Sequence, residues 1–192
     1  MAGKALTYGL TVETVQSVIQ PSSIRLEVSS RCQLRCPSCP TTSKAIDPVV
    51  GSGVLKFTDF ESFLKANSFV KDIEISNYGE VFLNPELLKI LRLAHEKGVN
   101  ISISNGANLN HVSEEVLEGL VTYGVKAITC SIDGASQETY EQYRVRGNFD
   151  RVIHNIRRIN HYKTLHRSST PRLKWQFIVF GHNEHEIPKA KQ

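Results

Sequence analysis

The sequence predicts an α/β fold in which a parallel sheet of about five β/α units curls into a partial barrel. Three observations carry that prediction. Strand-like runs rich in Ile and Val alternate with amphipathic helical segments at similar intervals, the pattern of parallel strands joined by right-handed crossovers. Each run alternates apolar and polar residues, whereas parallel strands covered on both faces read as continuous apolar stretches. Glycine, asparagine and acidic residues gather just after the strands, at the end where parallel β/α barrels build their sites from loops.

The strand candidates are 24–29, 72–77, 100–104, 125–133 and 173–180. Ile24, Leu26 and Val28 face one way and Arg25, Glu27 and Ser29 the other. Ile73 and Ile75 likewise oppose Glu74 and Ser76, and Ile101 and Ile103 oppose Ser102 and Ser104. Ile128, Cys130 and Ile132 oppose Thr129, Ser131 and Asp133, which places Cys130 among helix-packing residues as a small buried hydrophobe. With helices on the apolar face, the polar face lines a solvated lumen of ligand size. A helix over 59–66 is capped by Thr58, with Glu61 completing a capping box. Asn84 as N-cap with Pro85 behind it opens a second helix, whose face is Leu87, Leu88, Leu91 and Ala94 and which Gly98 closes. Residues 113–124 form a third, with Val116, Leu117, Leu120 and Val121 inward, and 136–146 a shorter one packing Tyr140 and Tyr143. The last carries Val152, Ile153, Ile156 and Ile159 at helical spacing.

At 192 residues the chain is long enough for one domain with a sizeable core. A net charge of +4 is mild, and the basic stretch from Arg157 to Arg172 holds one aromatic, Tyr162, so it reads as a solvated helix end rather than a nucleic-acid surface. No run approaches the ~20 apolar residues of a membrane span and the first residues lack a signal-peptide core, so a reducing cytoplasm is expected.

The chemistry-bearing segment is the run Ser30-Arg31-Cys32-Gln33-Leu34-Arg35-Cys36-Pro37-Ser38-Cys39-Pro40, which puts three of the chain's four cysteines in one loop after the first strand. Thiolates hold iron-sulfur clusters, and a closed electron-transfer cluster takes four of them. Three thiolates on a four-iron cluster leave one iron open for chemistry. A zinc site would want a fourth Cys or His, and the nearest histidine in sequence is His95. A disulfide framework would want paired cysteines and an oxidising compartment. Asn77-Tyr78-Gly79-Glu80, Asn105-Gly106, Asp133-Gly134 and Gly181-His182-Asn183-Glu184 follow the other four strands. Each of them is also ordinary turn chemistry, and Glu80 and Asp133 also fit as turn carboxylates. Arg144 reads as an exposed helical arginine, with a fork that could instead meet a ligand carboxylate, and His182 and His185 as polar loop residues rather than a metal pair.

Taken together, these segments resemble the radical S-adenosylmethionine (radical SAM) superfamily, most nearly the branch with a C-terminal SPASM-type extension, from Ile24 onward. The cysteine spacing C-x3-C-x2-C matches the family's in full, with Ser38 where an aromatic residue often stands. Gly79 and Glu80 match the end of the Gly-Gly-Glu motif that contacts the SAM amino group, with Tyr78 departing from it. Ser131 and Asp133 match the ribose-contacting end of the fourth strand, and Phe177, Val179, Gly181 and Glu184 fall on the GxIxGxxE pattern near adenine, with Phe177 replacing its first glycine.

The resemblance implies a partial (βα)6-type barrel, a 4Fe-4S cluster on Cys32, Cys36 and Cys39, and SAM chelated to the open iron. It implies reduction by a low-potential donor of flavodoxin or ferredoxin type, and cleavage of SAM to methionine and a 5′-deoxyadenosyl radical. That radical would take hydrogen from a peptide or small-molecule substrate, with no side chain needed as nucleophile. It also implies a boundary: an N-terminal extension over 1–23 and a core over 24–192 that lacks its sixth unit, leaving the fifth strand an apolar edge. A non-catalytic iron-sulfur or electron-transfer module and a zinc-binding interaction domain are the competing readings.

Overall fold

The computed structural model describes residues 20–192, so residues 1–19 of the expected N-terminal extension lie outside the described residues. Five strands, β1 (Ser23–Arg25), β2 (Asp72–Glu74), β3 (Asn100–Ala107), β4 (Ala127–Ser131) and β5 (Arg172–Gln176), pair in parallel in the order β1-β2-β3-β4-β5. The helices are α1 (Asp47–Val50), α2 (Phe57–Ala66), α3 (Leu87–Glu96), α4 (Glu114–Thr122), α5 (Gln137–Tyr143), α6 (Phe149–Leu165) and α7 (Ile187–Ala190). A strictly sequential order lets right-handed crossovers lay their helices on one face, whereas a reversal of order would cover both. The sheet is not closed, and β1 and β5 are its edges.

The apolar phase of the strands lies under those helices. Ile73, Ile75, Ile103, Ile128 and Ile132 are fully buried, and they join Phe60 of α2, Leu87 and Leu91 of α3, Leu117 and Leu120 of α4, and Val152 and Ile159 of α6 in one core. Cys130 packs in that core, 1% exposed. Each large apolar side chain buried this way contributes about 1.5–3 kcal/mol. On the opposite phase, polar residues line up in rows across strands, Arg25 beside Glu74 beside Ser102, and Ser131 beside Gln176. Among the described residues no helix is long and apolar enough to cross a membrane.

Local chemistry moves several boundaries. β3 runs past Ser104 to Ala107, and Asn105-Gly106 lie within a register irregularity between Ile103 and Ala107, not in a turn after the strand. Side chains of the β2 segment replace ladder bonds there: the Ser104 N–H donates to the Glu74 carboxylate (2.8 Å) and the Asn105 N–H to Ser76 Oγ (3.0 Å). β5 ends at Gln176, so Phe177 to Phe180 continue as loop. The predicted Thr58–Glu61 capping box does not form, because α2 starts two residues earlier with Lys56 as an N-cap that makes no side-chain bond. Glu86 serves instead, its Oε2 accepting from the Phe57 N–H at 2.9 Å. Asn84 is not the N-cap of α3. It ends a single 3₁₀ turn, Val81–Leu83, its Oδ1 accepts from the Glu86 N–H (2.8 Å), and its amide donates to the Val28 and Leu55 carbonyls (2.9 Å each). That buried asparagine welds the entry of α3 to the end of the first strand run. Ser113, Ser136 and Asn148 cap α4, α5 and α6 through their side-chain oxygens.

Because the α2 amide is capped from α3, Glu86→Ala is expected to lower the urea midpoint of unfolding. Thr58→Ala, at a position with no capping bond, is expected to leave it unchanged, and circular dichroism across a urea series reads both.

Candidate active site

The cysteine loop leaves β1 through a zipped stem. Ser29 bridges Val54 antiparallel, the Ser30 N–H donates to the Gly53 carbonyl (3.1 Å), and Ser30 Oγ accepts from the Gly53 N–H (2.9 Å). Inside the excursion, the Cys39 N–H donates to the Cys36 carbonyl at 3.1 Å, closing a β-turn. Pro37 and Ser38 are its central residues, and proline at the first of them presets the turn. The loop is fastened inward by Leu34, 4% exposed, and by the Arg35 N–H, which donates to the Val145 carbonyl at 3.0 Å.

A second segment locks onto it. The Glu80 N–H donates to the Arg31 carbonyl (2.7 Å), while the Glu27 carboxylate accepts from the Tyr78 N–H (2.9 Å) and the Gly79 N–H (3.2 Å). A Cβ at Gly79 would stand 1.9 Å from the Ser29 carbonyl oxygen, so only glycine lets these two chains meet. The close approach that demands Gly79 is thus to protein backbone.

One cavity of about 170 Å³ collects Cys32, Cys36 and Cys39 with Leu34, Asn77, Tyr78, Gly79, Glu80, Asn105, Gly106, Asn108, Ser131, Arg144 and Gln176. Six sequence-predicted site residues therefore share it: the three thiols, Gly79, Glu80 and Ser131. Asp133 sits just behind, fully buried. Its Oδ2 accepts from Arg144 Nε at 2.6 Å and its Oδ1 from the Ile178 N–H at 2.7 Å. Gly181 and Glu184 are exposed and do not line the cavity. In their segment the buried residues are Asn183, whose amide donates to the Asp133 and Ile178 carbonyls (3.0 and 2.8 Å), and Glu186, which accepts from the Ala135 N–H (2.6 Å).

Two side chains that line the cavity were misread or missed. Arg144 is not an exposed helical arginine. It caps the C-terminal end of α5, its side chain is 15% exposed, it is ion-paired to Asp133, and its Nη1 lies 3.7 Å from Cys36 Sγ. Asn108 is a hub that sequence reasoning passed over. Its N–H donates to Glu80 Oε2 (2.7 Å), its Oδ1 accepts from Gln33 (2.8 Å), and its Nδ2 lies 3.7 Å from Cys32 Sγ. The only sequence signal for it was the asparagine-rich run Asn105, Asn108, Asn110.

Burial sets the electrostatics. It pushes Cys32 up to about 12 and raises Cys36, where the Arg144 guanidinium pulls the other way. It also pushes Glu80 up to about 7 against the N–H groups of Asn108 and Phe82 and the charge of Arg144. Cys130, pushed up to about 12 by burial alone, stays apart from the site.

Among the described residues no three His, Cys, Asp or Glu converge on a point where one ion could be held. The three thiols nonetheless line one cavity. That arrangement suits a cluster, in which each thiolate meets a different iron, and fits poorly with a tetrahedral zinc site.

Comparison with known proteins decides the family. The Radical SAM superfamily profile matches residues 26–189. The chain belongs to the radical SAM superfamily. Its cofactors are accordingly SAM and a 4Fe-4S cluster. It is 29% identical to an AdoMet-dependent heme synthase of Methanosarcina barkeri over 71% of this chain and 38% of that one. It is 26% identical to a GTP 3′,8-cyclase of Gloeobacter violaceus over 86% of this chain and 50% of that one. The chain thus spans between about a third and a half of these relatives' lengths. In fold it is similar to Streptococcus suis SuiB bound to S-adenosylmethionine, with a TM-score of 0.70 over 89% of this chain and 37% of that one at 15% identity.

The raised Glu80 carboxyl makes a pH statement about the cluster-free protein. From the ordinary carboxylate range up to about 7 the folded state holds a proton that the unfolded state has lost, so stability falls as pH rises through that window and levels above it. Glu80→Gln is expected to remove that slope, worth on the order of 3 kcal/mol between its ends. Denaturant unfolding of wild type and variant under reducing conditions from acid to neutral pH measures it, and parallel curves would contradict it.

Proposed function

We propose that this chain is the core of a radical SAM enzyme that binds a 4Fe-4S cluster through Cys32, Cys36 and Cys39 and cleaves SAM reductively. The observation that carries the reading is the shared cavity, in which three thiols face Glu80 and Ser131 with no fourth thiol nearby. The bound cluster and SAM together supply a 5′-deoxyadenosyl radical for hydrogen abstraction. The chain's own residues do the rest. Gly79 and the Glu27 carboxylate hold the 77–80 segment against the cysteine loop, Glu80 and Ser131 present acceptors to the SAM amino and ribose groups, and Asp133 acts through Arg144. Gly181 and Glu184 would reach an adenine only if the loop after β5 moved inward.

The polar rows of the sheet receive the substrate, which we assign to peptides or small molecules. SuiB has been seen bound to its precursor peptide SuiA, which supports the peptide option, while the heme synthase and GTP cyclase relatives support small molecules. A low-potential protein of flavodoxin or ferredoxin type supplies the electron.

Replacing Cys32, Cys36 or Cys39 by Ala is expected to abolish iron and sulfide uptake on anaerobic reconstitution, whereas Cys130→Ala, in the helix-packed core, keeps both. The reduced wild-type holoprotein should convert SAM to 5′-deoxyadenosine, read by chromatography. A full cluster in the Cys36 variant would refute the ligand set, and an intact cluster without 5′-deoxyadenosine would leave an electron-transfer module.

A further inference from the structure

We propose that the substrate carries an anionic oxygen group, a carboxylate or a phosphate, which Lys174 holds in the lumen with Arg172 behind it. The inference rests on the reading above that the polar rows receive the substrate. Strand partners in register share a face, so β5 turns Arg172, Lys174 and Gln176 to the same side as Ala127, Thr129 and Ser131 of β4. Ser131 and Gln176 line the cavity that collects the three thiols. Successive residues on one face of a parallel strand stand about 6.6 Å apart, so Lys174 lies one step below that cavity and Arg172 two. An extended lysine side chain spans one such step. Gly106 keeps the top of this ladder open, because a Cβ there would stand 2.6 Å from Ser131 Oγ and 3.5 Å from Gln176 Oε1.

The balance of donors and acceptors on this face decides the charge it receives. Its carboxylates are already engaged by the protein. Glu27 accepts from the Tyr78 and Gly79 N–H groups, Asp72 from the Asn100 amide, Glu74 from Ser76 and the Ser104 N–H, and Asp133 from Arg144 and the Ile178 N–H. The β5 cations are in the opposite condition. Arg172 and Lys174 are exposed, and among the described residues they form no salt bridge, whereas Lys65, Lys89, Arg92, Arg144 and Arg158 are each paired with a carboxylate. Their β4 neighbours, Ala127, Thr129 and Ser131, are small and uncharged. Glu74 belongs to β2, three strands away from β5 and roughly 14 Å at the ordinary strand spacing. The spare charge of the lumen beneath the thiols is therefore positive. A lysine point charge and an arginine fork on adjacent steps complement an anionic oxygen group, while a cationic group placed there would meet like charge. Held at Lys174, the anionic end leaves the rest of the substrate beside Gln176, level with the cavity of the thiols.

The probe is pyridoxal 5′-phosphate, whose phosphate offers the anion and whose aldehyde condenses with a lysine amine to an imine, releasing water. Borohydride reduces the imine to a secondary amine, and peptide mass spectrometry locates the label in the reconstituted holoprotein and in its metal-free form. In both, Lys174 is expected to be labelled about tenfold faster than Lys56 or Lys97, exposed lysines elsewhere on the chain, because the paired cations concentrate the anion. Pyridoxal, which lacks the phosphate, should show no such preference. Arg172→Gln should slow labelling at Lys174 severalfold and leave Lys56 and Lys97 unchanged. At equal ionic strength pyrophosphate or citrate should protect Lys174 where glycerol does not, and the stronger protector identifies the substrate's group as phosphate or carboxylate. Labelling of Lys174 no faster than of Lys56 and Lys97, the same preference with pyridoxal, an unchanged rate in Arg172→Gln, or no protection by either anion would each overturn the proposal. Selective, protectable labelling in a protein that takes up no iron would overturn the cluster reading and leave the anion site standing. Formation of 5′-deoxyadenosine by a protein whose Lys174 is unselective would do the reverse.

Discussion

Everything at the site depends on the one-sided cover of the sheet. Five parallel strands added in sequence order send their helices to one face, and the alternating isoleucines commit that face to the core. A one-residue slip in any strand would turn its isoleucines into the lumen and its polar residues into the helices, so burial fixes the phase strongly. With the phase fixed, the carboxyl ends of β1 to β4 open at one rim, and Cys32, Glu80, Asn108 and Ser131 meet there although they are far apart in the chain.

The rim is held by polar groups that are almost all satisfied, which is what a buried polar site requires. Glu80 accepts from two backbone N–H groups, Asn108 ties Glu80 to Gln33, and Asn110 joins Tyr140 (2.9 Å) to the N–H of Asn148 (2.7 Å). Desolvation of this network works against the charged forms of Glu80, Cys32 and Cys36 alike. The metal-free pocket therefore favours neutral thiols, and metal binding must expel their protons.

Strand phase and the order of elements were legible because each is set by local pattern: period-two alternation in the strands and helical spacing between them. Cys130 was placed correctly by phase alone. What escaped was set by contacts distant in sequence. The α2 cap comes from Glu86, twenty-nine residues beyond the amide it serves, so a local box search found Thr58 instead. Asn105-Gly106 read as a turn dipeptide, but the Glu74 and Ser76 side chains keep that segment in the strand. Gly79 was legible as special, yet its physical reason, the Ser29 carbonyl, required the fold.

Arg144 shows how far such a contact reaches. At the end of α5 its helix face reads as solvent, and only the fully buried Asp133 draws the guanidinium inward. A buried carboxylate without a partner is strongly destabilising, so Asp133 and Arg144 enter the interior together or not at all. Asp133 in turn accepts from the Ile178 N–H, and its backbone carbonyl accepts from Asn183, which ties the segment after β5 to β4. With Nε committed to Asp133, the fork leaves Nη1 beside Cys36. One ion pair thus joins the last strand to the cysteine loop and places a fixed positive charge beside a thiol that burial alone would keep protonated.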